Sequence, residues 1–296
     1  MGKFGKDKRD IYYRLAKEEG YRARSAYKLL QIDDRFHILD GVKRCVDLCA
    51  APGSWSQVLS RRLHGEKIDN QQDDVKIVAV DLQAMAPIPG VIQLQGDITN
   101  HSTATAIINH FDGDHADLVV CDGAPDVTGL HDIDTYIQAE LLLAAVNITT
   151  HILKPGGTFI AKIFRGKDVL LLYSQLKIFF DEVVISKPRS SRNSSIESFA
   201  VCRNYNPPNG YEPTMFNTLM DGECEKYFDN VDNQKYLTNR QIIPFMACGD
   251  LTGFDSDSTY PLNLDENYQY HEPRQMPIDP PYKKAIELRK SSALSK

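Results

Sequence analysis

The chain has 296 residues, of which 42% are hydrophobic and 25% are charged, so it can bury a sizeable core in one large domain or two. No apolar run approaches the roughly 18 residues of a membrane-spanning helix, and the first ten residues contain no apolar segment typical of signal peptides. The six cysteines form no CxxC pair or other zinc-binding spacing. We therefore expect reduced thiols and a cytoplasmic protein without a metal site or a membrane segment.

The net charge of −6 is distributed unevenly along the chain. Residues 1–28 hold nine Lys or Arg against four Asp or Glu, a net of +5, whereas residues 204–296 hold nine against fourteen, a net of −5. Tyrosines are interleaved with the basic residues of the N-terminal arm, and this combination can follow a phosphate backbone and stack on bases. An ordinary solvated basic helix would have the same composition, so both interpretations stay open here.

Helical and strand-like segments alternate along the first two thirds of the chain. Helices are predicted at 10–36 with a break at Gly20, and at 101–111, 132–153 and 169–180, while 51–63 is predicted as a turn that leads into a helix. Strands are predicted at 44–50, 75–82, 91–99, 116–125, 156–166, 182–188 and 195–205. This alternation indicates a mostly parallel, Rossmann-like α/β sheet of seven strands with helices on both faces. Only RSSRNSS joins the last two strands, which is too short for a helical crossover, so we expect one antiparallel edge strand.

The chain divides into three parts by composition. Residues 1–36 form a basic helical arm, residues 37–208 the sheet domain, and residues 209–296 an acidic extension that we expect to be partly ordered. Residues 64–74 are polar and turn-rich, which is typical of a surface insertion.

Carboxylates follow several of the predicted strands, at the edge where open parallel sheets bind ligands. The first strand leads into DLCAAPGSW, the second ends in Asp81, the third in Asp97 and the fourth in Asp122. Neither a GxGxxG motif nor a Walker loop is present, and a phosphate-bearing cofactor would meet like charge. S-adenosylmethionine carries ribose, adenine and a positive centre, so it fits these carboxylates better. Each aspartate taken alone could equally be a helix cap or a turn residue.

Two charged residues stand inside apolar strands. Lys162 lies in the middle of GGTFIAKIFRG, and Glu197 lies in SIESFAV. An isolated buried charge is costly, so the two should compensate each other, either in a structural ion pair or in a reactive site.

Five segments together resemble the FtsJ/RrmJ family of RNA ribose 2′-O-methyltransferases: DLCAAPGSWSQVL, VDLQAM, GDIT, DGAPDVTGLHD and GGTFIAKIFRG. The resemblance extends from the basic N-terminus to about Pro208. It favours the eukaryotic branch that modifies the tRNA anticodon loop, because DVTGLHDID and KPRSSRNSS are similar to that branch. The bacterial ribosomal-RNA members usually have methionine where this chain has Gly123 and asparagine where it has Asp126, and the insertion at 64–74 is a further departure.

The resemblance implies a class I methyltransferase fold, S-adenosylmethionine as cofactor and no metal. By motif, the family's catalytic tetrad falls on Lys28, Asp122, Lys162 and Glu197, with Lys162 either accepting the proton of the ribose hydroxyl or stabilising the developing alkoxide. The positions implied for cofactor binding are Pro52, Gly53, Trp55, Asp81, Leu82, Asp97, Ile98 and Asp122.

For the substrate, the resemblance implies tRNA, methylated at nucleotide 32, nucleotide 34 or both. It also implies a larger helical-repeat or WD40-type partner protein. We expect the Lys3–Arg24 arm and the basic loop of Lys187, Arg189 and Arg192 to grip RNA phosphates. Three alternatives remain: methylation of ribosomal RNA or of an mRNA cap, a non-catalytic RNA-binding scaffold on the same fold, and a nicotinamide dehydrogenase.

Overall fold

The computed structural model describes residues 10–65, 74–125, 131–166, 169–213, 245–250, 252–260, 272, 274–275 and 283–290. The helices are α1 (Ile11–Glu18), α2 (Ala26–Phe36), α3 (Ser54–His64), α4 (His101–His110), α5 (His131–Ile152), α6 (Val169–Phe179) and α7 (Lys283–Lys290). The strands are β1 (Arg44–Leu48), β2 (Lys76–Asp81), β3 (Val91–Gln95), β4 (Ala116–Cys121), β5 (Leu153–Phe164), β6 (Phe180–Pro188), β7 (Glu197–Tyr205) and β8 (Phe245–Cys248). Residues 1–9, 66–73 and 126–130, which carry parts of the predicted arm, insertion and DVTGL motif, lie outside this range.

The described strands form one sheet in the order β3-β2-β1-β4-β5-β7-β6-β8. Strands β1 to β5 pair in parallel, and β7 runs antiparallel to both of its neighbours. The Rossmann-like class and the mostly parallel sheet are therefore confirmed, and so is the antiparallel orientation of the last predicted pair.

The sheet differs from the prediction in two respects. The antiparallel strand β7 is not at the edge, because it lies between β5 and β6. An eighth strand, β8, pairs in parallel with β6 and takes the edge position. β6 would otherwise present unpaired backbone N–H and C=O groups to solvent, and β8 satisfies them. Part of the predicted C-terminal extension thus belongs to the sheet.

Both faces of the sheet are covered by helices, which explains why its strands read as continuous apolar runs. In β4, Val119 belongs to the core packed under α4, α5 and α6, while Leu118 and Val120 belong to the opposite core under α2 and α3. Successive residues of a strand point to opposite faces, so a single apolar strand serves both cores. No helix in the described parts of the chain is both long and apolar enough to cross a membrane.

Candidate active site

The four tetrad positions come from four separate elements and meet at the carboxyl end of the sheet. Lys28 lies on α2, Asp122 directly follows β4, Lys162 is inside β5, and Glu197 is the first residue of β7. Strand register brings three of them together, since Cys121 of β4 pairs with Ala161, next to Lys162. In the same way, Glu197 of β7 pairs with Phe164, two residues beyond Lys162.

Their charged groups form a chain of alternating sign. The Lys162 Nζ atom lies 2.7 Å from Asp122 Oδ1 and 3.7 Å from Glu197 Oε2. The Lys28 Nζ atom lies 2.8 Å from Glu197 Oε2 and 3.9 Å from Asp122 Oδ1. All four side chains are only 8–15% exposed, so solvent screens these interactions weakly. Two ammonium groups and two carboxylates thus compensate one another in a mostly buried site.

The electrostatics fix the charge state of two members. Burial by itself lowers the pKa of Lys162, but the carboxylates of Asp122 and Glu197 outweigh it, so that this pKa is raised above its ordinary value. Burial raises the pKa of Glu197, and the ammonium groups of Lys28 and Lys162 reverse this effect, so that the pKa lies well below its usual range. Lys162 therefore carries a full positive charge at neutral pH, and Glu197 a negative one.

Several residues around the tetrad were not foreseen as part of the site. Gln138 of α5 donates from Nε2 to the backbone oxygens of Gly123 and Lys162, at 3.2 and 3.1 Å. Ser191 donates to Glu197 Oε1 at 2.5 Å. For Gln138, the sequence gives no clear signal, because α5 also contains other polar residues such as Asp134, Glu140 and Asn147. For Ser191, the polar run KPRSSRNSS gives no hint of which hydroxyl points inward.

A cleft of about 880 Å³ opens beside the tetrad at the carboxyl ends of β1 to β4. Its lining includes Asp81, Leu82, Asp97, Ile98 and Asp122, five of the eight positions implied for the cofactor. Glu140 of α5 adds a fourth carboxylate, and no lysine or arginine is found among the described residues that line the cleft. The volume is within the range typical of small-molecule sites.

The carboxylates around the cleft are held by backbone amides. Asp81 Oδ2 accepts from the amide of Ala51 and Oδ1 from that of Gln83, both at 2.8 Å. Behind them, Asp47 is fully buried and accepts from Ser56 Oγ at 2.5 Å. Burial raises the pKa of Asp47 to about 7, and the nearby carboxylates of Asp122 and Asp81 act in the same direction.

Pro52 and Gly53 lie in the turn between β1 and α3, and Trp55 lies in the first turn of α3. All three are outside the lining of the cleft. Trp55 is buried against Phe199 with ring centroids 5.6 Å apart, and its Nε1 donates to the backbone oxygen of Ser25 at 2.8 Å. The backbone oxygen of Pro52 accepts from Arg22 at 3.0 Å. These residues shape the turn, and contact between them and a cofactor stays a prediction.

The cations predicted to grip RNA have intramolecular partners where the structure describes them. Arg24 forms an ion pair with Asp10, and Arg192 lies 3.3 Å from the same carboxylate. Arg189 lies 3.8 Å from Asp255. Lys187 donates to the backbone oxygens of Ser195 and Glu197 at 2.8 and 2.9 Å, and burial lowers its pKa, with the charges of Arg165 and Lys28 adding to this.

Carboxylates at the ends of β2, β3 and β4, lining a cleft on a Rossmann-like sheet, indicate a site for a cofactor that combines ribose with positive charge, as in class I methyltransferases. Comparison with known proteins agrees with this class. The model of the FtsJ-like methyltransferase family matches residues 21–205. The chain therefore belongs to the FtsJ-like methyltransferase family.

Several relatives are similar to the chain over its full length. It is 61% identical to the tRNA (cytidine(32)/guanosine(34)-2′-O)-methyltransferase of Mus musculus, with 100% of this chain and 89% of the mouse protein aligned. It is 55% identical to the enzyme of the same name from Schizosaccharomyces pombe, with both chains fully covered. The structure of a ribosomal RNA methyltransferase from Plasmodium falciparum has a TM-score of 0.55 and 28% identity, and covers 62% of this chain and 98% of that one.

Proposed function

We propose that this chain is an S-adenosylmethionine-dependent enzyme that methylates the ribose 2′-hydroxyl of nucleotides 32 and 34 in the tRNA anticodon loop. The observation that carries the proposal is the meeting of Lys162 and Asp122, 2.7 Å apart, at the edge of the carboxylate-lined cleft. The names of the full-length relatives support the substrate and the positions.

The cleft suits the proposed cofactor on three counts. Its carboxylates can accept hydrogen bonds from ribose hydroxyls and from an ammonium group. Leu82 is 66% exposed beside Asp81 and offers an apolar wall for an adenine ring. The absence of lysine and arginine from the described lining disfavours a pyrophosphate, and this argues against a nicotinamide cofactor. We propose that Asp81 and Asp97 hold the polar groups of the cofactor, while Leu82 and Ile98 contact its adenine.

We propose that Lys162 acts as an electrostatic stabiliser in the reaction. When bound, the cofactor supplies a methyl group on a sulfonium centre, whose sulfur departs with the bonding electron pair. The raised pKa of Lys162 keeps its ammonium form, which cannot accept a proton but can donate a hydrogen bond to the attacking 2′-oxygen. As the carbon–oxygen bond forms, the hydroxyl proton needs an acceptor. Asp122, the carboxylate nearest to Lys162 Nζ, is the group that we propose for this role.

The proposal is tested by mapping ribose methylation in tRNA from cells with and without the protein. We expect loss of 2′-O-methyl groups at nucleotides 32 and 34, with ribosomal RNA and cap methylation unchanged. In vitro, Lys162→Ala should lower turnover by more than about a hundredfold, the loss typical of a missing electrostatic catalyst, while calorimetry finds the same affinity for S-adenosylmethionine. Turnover in EDTA should equal that without it. Unchanged tRNA methylation in the deleted cells would refute the function.

A ribosomal substrate is the second candidate, and the extent of the similarity disfavours it. The ribosomal RNA methyltransferase spb1 of Aspergillus fumigatus is 43% identical to the chain, but the match covers 71% of this chain and 26% of the fungal protein. The match to the tRNA methyltransferase of Mus musculus covers 100% of this chain.

We further propose a cytoplasmic protein that works with a larger helical-repeat or WD40-type partner. The resemblance to the anticodon-loop branch supports the partner, and the free thiols of the five described cysteines fit a reducing compartment. Affinity purification of the endogenous chain from a cytoplasmic extract should recover one such protein in a stoichiometric amount. Recovery of the chain alone would contradict the partner.

A further inference from the structure

The loop between β6 and β7 (residues 189–196, the β6–β7 loop) reaches the tetrad through one hydroxyl. Ser191 is 2% exposed and donates to Glu197 Oε1 at 2.5 Å. The other carboxylate oxygen, Oε2, accepts from Lys28 at 2.8 Å and lies 3.7 Å from Lys162 Nζ. Both oxygens of Glu197 are thus held from opposite sides, so the hydroxyl fixes the rotation of the carboxylate that orients the two lysines.

The β6–β7 loop is itself held by a segment that lies far along the chain. β8 continues the sheet beside β6, and the amide of Arg189 donates to the Cys248 oxygen at 2.7 Å. Asp257 then accepts from the amide of Asn193 at 2.6 Å and from the amide and hydroxyl of Ser194 at 3.2 and 3.1 Å. We call residues 245–250 and 252–260 the C-terminal clamp. It lies outside the region that the family model matches, residues 21–205.

The two arginines of the β6–β7 loop pair with carboxylates of this chain. Arg192 lies 3.3 Å from Asp10, which has a side chain only 3% exposed, and Arg189 lies 3.8 Å from Asp255 of the clamp. The amide of Ser190 donates to Gln31 on α2 at 2.9 Å, so the loop is also fixed to the helix that carries Lys28. These contacts indicate that the β6–β7 loop supports the site rigidly, and they disfavour a role in which its arginines are free to bind phosphate.

We propose that Ser191 is a positioning residue for Glu197, and that the C-terminal clamp maintains this position through Asp257. This inference rests on the proposed methyltransferase function and adds a role for a segment outside the region that the family model matches. A misplaced carboxylate would leave Lys28 and Lys162 less well oriented. We therefore expect the rate of methyl transfer to fall while the binding of tRNA and cofactor is kept.

The first experiment compares Ser191→Ala with Ser190→Ala under single-turnover and steady-state conditions on tRNA. Ser190 is a matched control, because it is equally buried and adjacent, yet its hydroxyl has no hydrogen-bond partner among the described residues. We expect Ser191→Ala to lower kcat by about tenfold or more, the loss of one charge-assisted hydrogen bond, with KM for tRNA and cofactor affinity within about twofold of wild type. Ser190→Ala should keep wild-type kcat.

The second experiment substitutes Asp257 of the clamp, which holds the exposed side of the β6–β7 loop. It tests the inference even if the Ser191→Ala variant does not fold. Asp257→Ala should lower kcat severalfold at unchanged KM. Asp250→Ala should not, since Asp250 accepts hydrogen bonds from Thr252 within its own turn and none from the amides of Asn193 and Ser194 that Asp257 holds. A rise in KM for tRNA with kcat unchanged would overturn the inference and identify the loop as an RNA contact. Wild-type kinetics in both Ser191→Ala and Asp257→Ala would also overturn it. An inactive wild-type protein would instead refute the proposed function.

Discussion

At the scale of single residues, Lys162 keeps its charge within a β-strand because two carboxylates offset the cost of burial. The sequence indicates that this lysine needs a partner, and Glu197 could be named because it is the other charge in an apolar strand. The direction of the pKa shift could not be predicted, since burial lowers the pKa of Lys162 while Asp122 and Glu197 raise it. The distances decide the outcome, with Asp122 at 2.7 Å and the pKa raised.

The depressed pKa of Glu197 predicts a pH-dependent contribution to stability. A carboxylate with a folded-state pKa below its unfolded value stabilises the fold above the unfolded pKa, about 4.3 for Glu, and loses this contribution as the pH falls toward the folded value. Glu197→Gln leaves Lys28 and Lys162 without one of their carboxylates. We expect it to lower the free energy of unfolding by about 3 kcal/mol at pH 7.

Urea unfolding at several pH values measures this difference. The gap between wild type and Glu197→Gln should be largest from pH 6 to 8 and should shrink below about pH 4. A gap that stays constant from pH 7 to pH 3.5 would show that the carboxylate charge is not the source of the stability.

At the scale of elements, the turn between β1 and α3 depends on a glycine. Gly53 has φ of 101°, which side chains of L-residues rarely adopt. A Cβ atom there would lie 2.7 Å from Ile88 Cδ1 and 2.8 Å from Arg22 Nη1. Arg22 is held by the backbone oxygens of Pro52 and Ala86, at 3.0 and 2.8 Å, so it cannot move aside freely.

Gly53→Ala should therefore cost more than the backbone strain alone. Gly41 is the matched control, since it also has a positive φ, 72°, but no atom of the described part of the chain lies within 4 Å of an added Cβ. We expect Gly41→Ala to lower the free energy of unfolding by about 1 kcal/mol and Gly53→Ala by at least about 2 kcal/mol. Thermal and urea unfolding of both variants provide the measurement. Equal losses would mean that the turn relaxes around the new methyl group.

The elements also indicate how far the sequence predicts the fold. Seven strands were predicted because each is a buried apolar run with turn residues around it. β8 was not predicted, because its four residues FMAC lie in an acidic region and give no periodic pattern. Their strand conformation is explained by pairing with the open edge of β6. The short β6–β7 connection gave the antiparallel orientation but not the strand order, which depends on contacts remote in sequence.

At the scale of the whole molecule, some residues of the basic segments form contacts with the acidic C-terminal region inside the fold. The basic arm was predicted to bind RNA, and the acidic C-terminal region was predicted to be a separate, partly ordered extension. In the described residues, the arm contacts the C-terminal region, since Tyr12 donates to the Phe254 oxygen at 2.9 Å. A cation of the β6–β7 loop, Arg189, lies 3.8 Å from Asp255 of the same region. Charge counts cannot reveal such pairing, because they carry no information on which residues are neighbours in space.

The C-terminal clamp should therefore contribute to global stability as well as to the site. Deleting residues 214–296 removes β8 and the hydrogen bonds from Tyr12, Arg189 and Asn193 to the clamp. These three bonds at about 1 kcal/mol each set a lower bound of about 3 kcal/mol on the loss, because the deletion also removes the two bonds from Ser194 to Asp257 and the pairing of β8 with β6. The uncovered edge of β6 should promote aggregation. Deleting only residues 276–296 keeps these contacts and serves as the control. Calorimetry and light scattering distinguish the two truncations, and equal unfolding temperatures would mean that the clamp does not stabilise the fold.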